Sequence, residues 1–591
     1  MNISFLYAPR AARLAAFFVL LVLLLPAGFR ARAQGAGPAF DRAATCGQPT
    51  TGSFYVPVRL AVDAAGNAYV AGYFAGTVVF GNTFLTTGPP PSGGGRDYDW
   101  FVAKLDPLGA VLWAVRAGGL GAPDVCRDLC LDGQGHVYVA GTAQGQAAFG
   151  TLNLNNNPGG GPRIVVARLD AATGTWQWLA QGGANRNQAY GVAADAAGHV
   201  FVAGTVGDRA NWANFGSLTI STISGNEDAF VARLDAATGA WQWVSLGGAP
   251  FANVTPRAIT LDGTGGAYVC GNYGSSAPVQ FQPVGPAGAV ALPVGQATFV
   301  AKLNAATGAW AWANSGGNFG PSGTDLLGSL AVDAAGNVVA SGDFRSAAPV
   351  FGTTTLTNLS GNDQYGFQRG DGLLVGLDGS TGAWRWAVPI SGPGSENCAG
   401  VALDANGEAY AVGGFVGPTT FGTRTLTAAN GSEAFVARLS AATGAWRWVA
   451  IAGGRGAKGA TSPVIAGNQL HVLGAYTGAV ADIGPVVLAG SPTDQFGFVG
   501  RLANATGPLA GRAAAAAGAG LAVWPSPAGA GAWVSGPPPG TPVLVLDALG
   551  RGVGMGRMPA TGPLALPLPT GRPAGLYLVR AGGRTARLLA E

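Results

Sequence analysis

Three features predict an all-β chain made from one repeated unit. A turn motif recurs at near-even spacing, an apolar motif follows each copy, and a tryptophan-bearing strand follows that. The turn aspartates Asp63, Asp132, Asp195, Asp262, Asp333 and Asp404 stand 63 to 71 residues apart. Self-similarity at a fixed period marks repeat architectures, and four short strands per unit suit the blades of a ring. The predicted fold class is therefore all-β: a seven-bladed β-propeller of four-stranded blades closed by an N-terminal strand, followed by a small C-terminal β-sandwich.

The chain opens with a targeting segment. Arg10 and Arg13 precede an apolar run from Leu14 to Phe29, and Ala31-Arg32-Ala33 supplies a small-x-small cleavage site. This is the layout of a secretory signal peptide over residues 1–33, cut before Gln34. The run is interrupted by Pro26 and falls short of the roughly 20 residues that span a bilayer. No membrane span is expected after cleavage. Secretion, or attachment to the outer cell surface, is the expected destination.

The composition narrows the function classes. Charged residues make up 10% of the chain and hydrophobic ones 48%, so material for a core is ample and ionic devices are few. The net charge of +4 is scattered without a basic stripe, and nucleic acid is not an expected partner. Five cysteines, Cys46, Cys126, Cys130, Cys270 and Cys398, form no disulfide framework. Cys126 and Cys130 lie on one predicted strand, about 13 Å apart by strand rise, too far for a bridge. Most are expected to be buried thiols.

The repeats fill residues 34–507. Each opens with a strand ending in the turn aspartate, as in RLAVDAAGN from Arg59. The aspartate caps its own turn and glycine takes the positive φ. A second strand follows (AYVAG), then a third: FVAKL from Phe101, VVARL from Val165, FVARL from Phe230, FVAKL from Phe299, LLVGL from Leu373, FVARL from Phe435 and FVGRL from Phe498. The fourth carries the tryptophans, as in DAATGTWQWLAQGG from Asp170. The middle strands are apolar on both faces, as a sheet covered on both sides requires. A seventh, degenerate copy from Ser462 has three strands and no tryptophan strand. FDRAATCG from Phe40 resembles the tryptophan-strand ending WAVRAGG from Trp113, so residues 38–47 are expected to complete that blade and remove the free edges.

With its D-x-x-G-N-x-Y-V-x-G core, the region resembles the bacterial β-propeller repeat families of SBBP and NHL-like type. That resemblance implies a fold and leaves function open.

Residues 508–520 are Ala/Gly-rich and read as a linker. Residues 521–591 hold short strands of a small sandwich. Pro525-Ser526-Pro527, Asp547-Ala548-Leu549-Gly550-Arg551 and Gly575-Leu576-Tyr577-Leu578-Val579 appear in the order found in the type A sorting domain of type IX secretion. Ser526 replaces that family's usual Asn. The resemblance makes Pro525, Pro527, Gly550, Arg551, Gly575 and Tyr577 the sorting motif, implies the type IX secretion machinery as a partner, and implies passage across the outer membrane.

No catalytic constellation is found. The recurring aspartates read as turn residues, and no loop carries the several oxygen ligands that a structural Ca²⁺ would need. No cofactor or metal is expected. His136 and His199 take the turn-to-strand position of Asn67 and Asn337. The W-x-W pairs, such as Trp176/Trp178, place both rings on one face of their strand, and read as packing between blades more readily than as a sugar platform. The second-to-third and fourth-to-first connections are long and varied, most of the former with an F-G-x-x-x-L hairpin, and mark the expected binding face. Its candidate residues are Arg96, Asp97, Asp99, Asn185, Arg186, Asn226, Glu227, Asp228, Asp363, Arg369 and Glu396, each of which could also be a plain solvated loop residue.

The function expected is a binding or adhesion module for an extracellular protein or glycan, not an enzyme. Two alternatives stay open: a lyase or glycosidase acting on polysaccharide through the axial channel, which needs paired carboxylates or a histidine cluster there, and a structural surface protein without a specific ligand.

Overall fold

The computed structural model describes residues 40–503 and 522–590, apart from positions 89–95, 121–122, 155–160, 185–186, 208–211, 224–225, 284, 286–287, 321–322, 363–368, 454–455, 484–485, 492–493, 525–532, 536–539, 548–551, 560–563, 567–574 and 582–583. The signal-peptide and linker expectations lie outside the described residues. The chain divides into two compact units, Met1–Thr506 and Gly507–Glu591. Every regular element among the described residues is a β-strand.

In the first unit, four-stranded antiparallel sheets follow one another. The first comprises Phe54–Val62, Ala68–Ala75, Asp99–Leu105 and Val111–Gly118. The second runs from Val125 to Gly183, the third from Gln188 to Gly248 and the fourth from Asn253 to Gly316. The fifth runs from Leu326 to Ser391 and the sixth from Asn397 to Ile451. The seventh takes Ala457–Ala466, Gln469–Thr477 and Gln495–Ala503 from its own repeat. Its fourth strand is Phe40–Thr45, paired antiparallel to Gln495–Ala503 with Ala43 opposite Gly500. The segment expected to supply the missing strand does pair there.

The hydrophobic core is split into clusters, each joining two successive sheets. One unites Tyr69 and Val102 of the first sheet with Val139 and Trp176 of the second. Another unites Tyr138 and Trp178 of the second with Phe230 and Val202 of the third. The series continues to a cluster in which Leu473, with Val464 and Val499 against it, meets Leu60, Val70 and Phe101 of the first sheet. The opening strands of all these sheets also line one common cavity, with Arg59, Asp128, Val192, Ile259, Ser329 and Val401 among its walls. Sheets packed face to face around a shared axis make this an all-β, propeller-like architecture.

Local chemistry explains the turns. Asp63 Oδ1 accepts the Ala65 and Asn67 amides at 3.0 and 2.9 Å, while Oδ2 takes the Asn67 side-chain amide and the Tyr69 hydroxyl. At the same position His136 and His199 meet Asp132 and Asp195 through Nδ1 at 2.6 and 2.9 Å. They are turn residues, as their repeat position indicates.

One expectation is corrected. The two tryptophans of each pair do not share a face. A β-bulge lies between them: Trp178 stands opposite Arg168 and Trp176 opposite Leu169, with Gln177 as the extra residue. Bulges re-aim side chains, and here the bulge sends the first ring back and the second forward. Trp241 donates to the Gln181 carbonyl of the preceding sheet at 3.0 Å, whereas Trp178 donates to the Ala236 carbonyl of the following one at 3.0 Å. The packing role stands, on two interfaces instead of one.

In the second unit, Ala522–Trp524, Trp533–Ser535 and Leu564–Ala565 form one small sheet. Gly552–Arg557, Pro542–Leu546, Gly575–Ala581 and Arg584–Ala590 form another. Leu564 of the first packs on a cluster containing Val543, Val545, Tyr577 and Val579 of the second.

Candidate functional site

The connections expected to form a binding face gather at one edge of the sheets, opposite the aspartate turns. Their hairpins are not free loops. Phe149, Phe215, Phe281 and Phe421 pair with the outer strand of the sheet before them. Each ring is buried, and Phe215 and Phe281 meet the first tryptophan of their own sheets at 4.9 and 4.6 Å between centroids. Gly182 and Gly247 leave room for these rings, since a Cβ on either would stand 2.6 Å from phenylalanine carbons. The F-G-x-x-x-L hairpin is therefore a clasp between neighbouring sheets, and the expectation that it contributes binding surface is corrected to that extent.

Several candidate residues are buried rather than solvated. Asp97, Asp99, Asp228 and Glu396 are each at most 2% exposed. All but Asp97 belong to two repeat positions that the sequence conceals among variable loops. One lies two residues before the F-V-A-K/R-L motif, and there Asp228 accepts the Ile223 amide at 2.6 Å and Asp371 the Leu359 amide at 2.9 Å. The other lies eight residues before the turn aspartate. There Asp124 accepts the Gly119 and Gln144 amides at 2.9 and 2.8 Å, and Asp325 accepts the Asn318, Arg345 and Ser346 amides at 2.9 to 3.0 Å. Glu396 at this position takes the Thr419 hydroxyl at 3.0 Å. These carboxyls fix loop backbone that would otherwise be left without partners.

At two junctions the acids face each other. Between the first and second sheets, a Cβ on Gly118 would lie 1.9 Å from Asp99 Oδ1 and 3.1 Å from Asp124 Oδ2. Between the fifth and sixth, the Ser360 hydroxyl bonds to Asp371 and reaches Glu396 Oε2 at 3.5 Å. Burial, with the charge of Asp97 adding to it and Arg116 opposing it, raises Asp99 to about 7. Burial raises Asp124 to about 8, its two amide bonds opposing and Asp99 and Asp97 adding. Glu396 rises to about 7, mainly through burial and then through Asp371. These groups hold protons near neutral pH because burial penalises the charged form, and a neighbouring carboxyl adds to that penalty.

Exposed residues complete the edge. Arg96, Asn226 and Arg369 are exposed and Glu227 is half-buried. Asn185, Arg186 and Asp363 lie outside the described residues. Arg96 lies over the Phe54 ring at 5.0 Å. The residue that sequence reasoning missed is Phe251. Pro250 and Phe251 sit at the centre of a turn closed by the Ala252 amide on the Ala249 carbonyl at 3.0 Å. Phe251 has φ +59° and is 80% exposed. Proline followed by a positive φ is the type II pattern, which favours glycine at that second position. The signal in the sequence was a Pro-Phe where Pro-Gly would serve the turn.

The common cavity was the expected place for alternative, enzymatic chemistry. Arg59 and Asp128 line it and form an ion pair. Asp128 also accepts the Leu129 and Val192 amides at 2.9 and 2.8 Å, so its oxygens tie the second sheet to the third. Ser329 and Ser462 do the same for Val401 and Leu60 at 3.2 and 3.3 Å. The opening strands thus carry an ion pair at the cavity, and the Asp128 oxygens are already used in structural bonds. Among the described residues no three His, Cys, Asp or Glu side chains gather as a metal set. Cys46, Cys126, Cys270 and Cys398 are buried thiols; burial pushes Cys46, Cys270 and Cys398 up to about 12.

In the second unit, Gly575 opens a strand and Tyr577 is buried. Pro525, Pro527, Gly550 and Arg551 lie outside the described residues.

The geometry defines an all-β, propeller-like protein. No protein-family model matches the chain, and no curated protein matches it. Solved structures similar to it include a quinohemoprotein alcohol dehydrogenase from Comamonas testosteroni, at 13% identity over 78% of this chain and 76% of that one, TM-score 0.35. The WD40 domain of Pan2 from Neurospora crassa matches at 9% identity over 75% and 88%, TM-score 0.35. A europium-containing methanol dehydrogenase matches at 11% identity over 78% and 93%, TM-score 0.34. At this level of likeness none of them bears on what this chain does.

Proposed function

We propose that the chain is a secreted or cell-surface β-propeller scaffold acting as a binding or adhesion module for an extracellular protein or glycan. Its repeats form seven blades, closed by the strand Phe40–Thr45. Its C-terminal residues 521–591 form a small sandwich that serves as a type A sorting domain read by the type IX secretion machinery. On this reading the protein is not an enzyme.

The observation that carries the binding role is Phe251. A large aromatic ring held in solvent at a positive φ costs on the order of 1 kcal/mol or more, and glycine would remove that cost. Strain kept at an exposed aromatic is a functional signal. The surrounding loops are held by buried carboxyls, so the edge is shaped before a ligand arrives, which lowers the ordering cost of binding. Arg96, Asn226 and Arg369 supply polar groups on the same edge.

The test uses the exported protein, screened against a glycan array and a panel of extracellular matrix proteins. A ligand captured by the wild type and lost in Phe251→Ser supports the reading. Capture of nothing, or capture indifferent to Phe251, Arg96 and Arg369 substitutions, overturns it. Removal of residues 521–591 should retain the protein in the periplasm; normal surface delivery of the truncated chain would remove the sorting role.

A further inference from the structure

Each opening strand carries a β-bulge at one repeat position, five residues before the turn aspartate where that aspartate is present. The extra residue is Val58 in the first sheet, followed by Arg127, Tyr190, Arg257, Gly328 and Ala399, and Thr461 holds the place in the seventh. A bulge leaves its extra residue outside the ladder and re-aims the side chain. The opening strands neighbour one another in turn, from the first sheet to the seventh and back to the first. The bulged residues therefore stand in a ring. One residue further along, Arg59, Asp128, Ser329 and Ser462 line the common cavity, of about 320 Å³.

The ring is lopsided. Arg127 and Arg257 lie over the Tyr190 ring, at 5.7 and 4.9 Å from its centroid, and all three side chains are half-buried. Next in order come Gly328 and Ala399. Gly328 is exposed, and no atom lies within 4 Å of the place that a Cβ would take, so the space beside Arg257 is open. The two arginines are also short of partners. Among the described residues, every other buried or half-buried arginine of the repeats donates to a carboxylate or a carbonyl or amide oxygen. Arg127 has no such bond, and its Nε is buried without a partner. Arg257 reaches only the Asn272 side-chain oxygen, at 3.4 Å. Asp128 adjoins Arg127 in the chain but is paired with Arg59. Burial raises the Glu227 pKa and Arg257 opposes the rise, yet the two form no ion pair among the described residues. Two half-buried cations on one ring repel each other and lose hydration, and anions in the open space would offset both costs.

The first sheet adds an aromatic ledge. Tyr98 meets Phe54 and Tyr73 at 5.5 and 5.6 Å between centroids, and the three rings are half-buried. Tyr73 lies on a strand that packs against the strand of Arg127. Tyrosine rings, apolar in body and polar at the tip, suit a sugar, which has apolar C–H faces between hydroxyls.

We propose that this ring of bulged residues seats an acidic glycan, with carboxylate or sulfate-ester groups on the Arg127 and Arg257 guanidiniums. The choice of a glycan rests on the loop-edge reading above, whereas the anion site rests on the bulge ring. Tyr190 spaces the two cations, and the gap at Gly328 and Ala399 admits the sugar.

The experiment titrates the full mature chain with trigalacturonate, with a κ-carrageenan oligosaccharide, which carries sulfate and no carboxylate, and with neutral galactotriose, read by calorimetry. The expected result is saturable binding of an acidic sugar and none of galactotriose, and the acidic sugar that binds tells carboxylate from sulfate ester. Raising the salt from about 0.05 to about 0.5 M should weaken binding. Arg127→Gln and Arg257→Gln should each weaken it by about tenfold, as the loss of a charge-assisted contact predicts. Gly328→Tyr puts the third sheet's residue at the same bulge, fills the open space and should weaken binding as much. No binding of either acidic sugar overturns the proposal, as does unchanged affinity in both arginine variants. If those variants do not fold, Gly328→Tyr decides: unchanged affinity overturns the site and weakened affinity supports it. Triglutamate bound as tightly as the sugars overturns the glycan in favour of an acidic peptide. Phe251→Ser separates the two readings. Phe251-dependent capture of a neutral ligand, with both acidic sugars unbound, overturns this site and leaves the loop-edge reading standing. Acidic-sugar binding that is lost in Arg257→Gln and intact in Phe251→Ser supports this site and removes Phe251 from it.

Discussion

The two edges of the repeat region carry the same residue type in opposite states. At the turn edge, aspartates are held as anions. The Thr238 hydroxyl and amide keep Asp235 below its usual range, and Asn67 outweighs the burial of Asp63. At the loop edge, burial pushes Asp99, Asp124, Asp343 and Glu396 up to between about 6 and 8. The difference lies in what surrounds the oxygens. A turn supplies amide donors beside water, whereas a junction between sheets supplies burial and, at two places, a second carboxyl. Regular turns build the scaffold cheaply, and the loop edge spends stability on a fixed shape.

The comparison implies that the most damaging lesions lie in contacts that reach the turn edge from a neighbouring sheet. Trp178→Ala removes a ring 9% exposed, its bond to Ala236 and its cover over Gly239. A buried tryptophan truncated to alanine costs about 3–5 kcal/mol. Urea unfolding should show that loss, and a change below about 1 kcal/mol would mean that the sheets are not coupled there.

Next in size is the turn itself. Asp404 accepts the Asn406 and Glu408 amides at 2.9 and 3.0 Å and the Tyr410 hydroxyl at 3.1 Å. Asp404→Ala should cost about 1–2 kcal/mol, the range for loss of a capping carboxylate. Asp404→Asn should recover part of that loss in the same unfolding assay, because one side-chain oxygen remains.

How much of this was legible follows the same division. The turn aspartates were readable because each repeats with its own glycine. The strand at Phe40 was readable because FDRAAT keeps the outer-strand pattern. The bulge between Trp176 and Trp178 was not, since W-x-W looks like plain alternation and the extra residue appears only against the partner strand. The clamping acids were hidden for a related reason. Asp124, Asp325 and Glu396 share one position with Asn187, but Tyr55 and Val254 hold it in the other repeats and loops of unequal length precede it. Phe251 was missed because its one signal, Phe in place of Gly after Pro250, marks a site only once the chain is known to turn there, and the string does not show that the ring is exposed.

The edges should also separate by pH. A carboxyl raised from about 4 to about 7 contributes fully below its unfolded pKa, and its contribution is lost as pH climbs through the folded value. Asp99, Asp124 and Glu396 therefore cost the fold stability progressively between about pH 4 and 8. Asp235 works in the opposite sense: its folded pKa is lowered, so its contribution is lost as pH falls below about 4. Thermal stability should peak on the acid side of neutrality. Glu396→Gln, which cannot ionise, should flatten part of the alkaline limb, by on the order of 1 kcal/mol at pH 9. An alkaline limb identical in both proteins would show that this junction holds no shared proton.

The smallest expected effect is the most informative about purpose. Phe251→Gly replaces a strained residue with the one that its turn favours. The ring is 80% exposed, so little burial is lost. The Ala252–Ala249 turn bond involves backbone alone and survives the change. Stability should rise by about 0.5–1 kcal/mol, measured by paired urea melts. A gain in stability coupled to a loss of ligand capture would identify the loop edge as the place where stability is traded for binding. A gain with capture intact would leave the strain without a binding role, and a loss of stability would mean that the ring supports the loop by contacts that its exposure conceals.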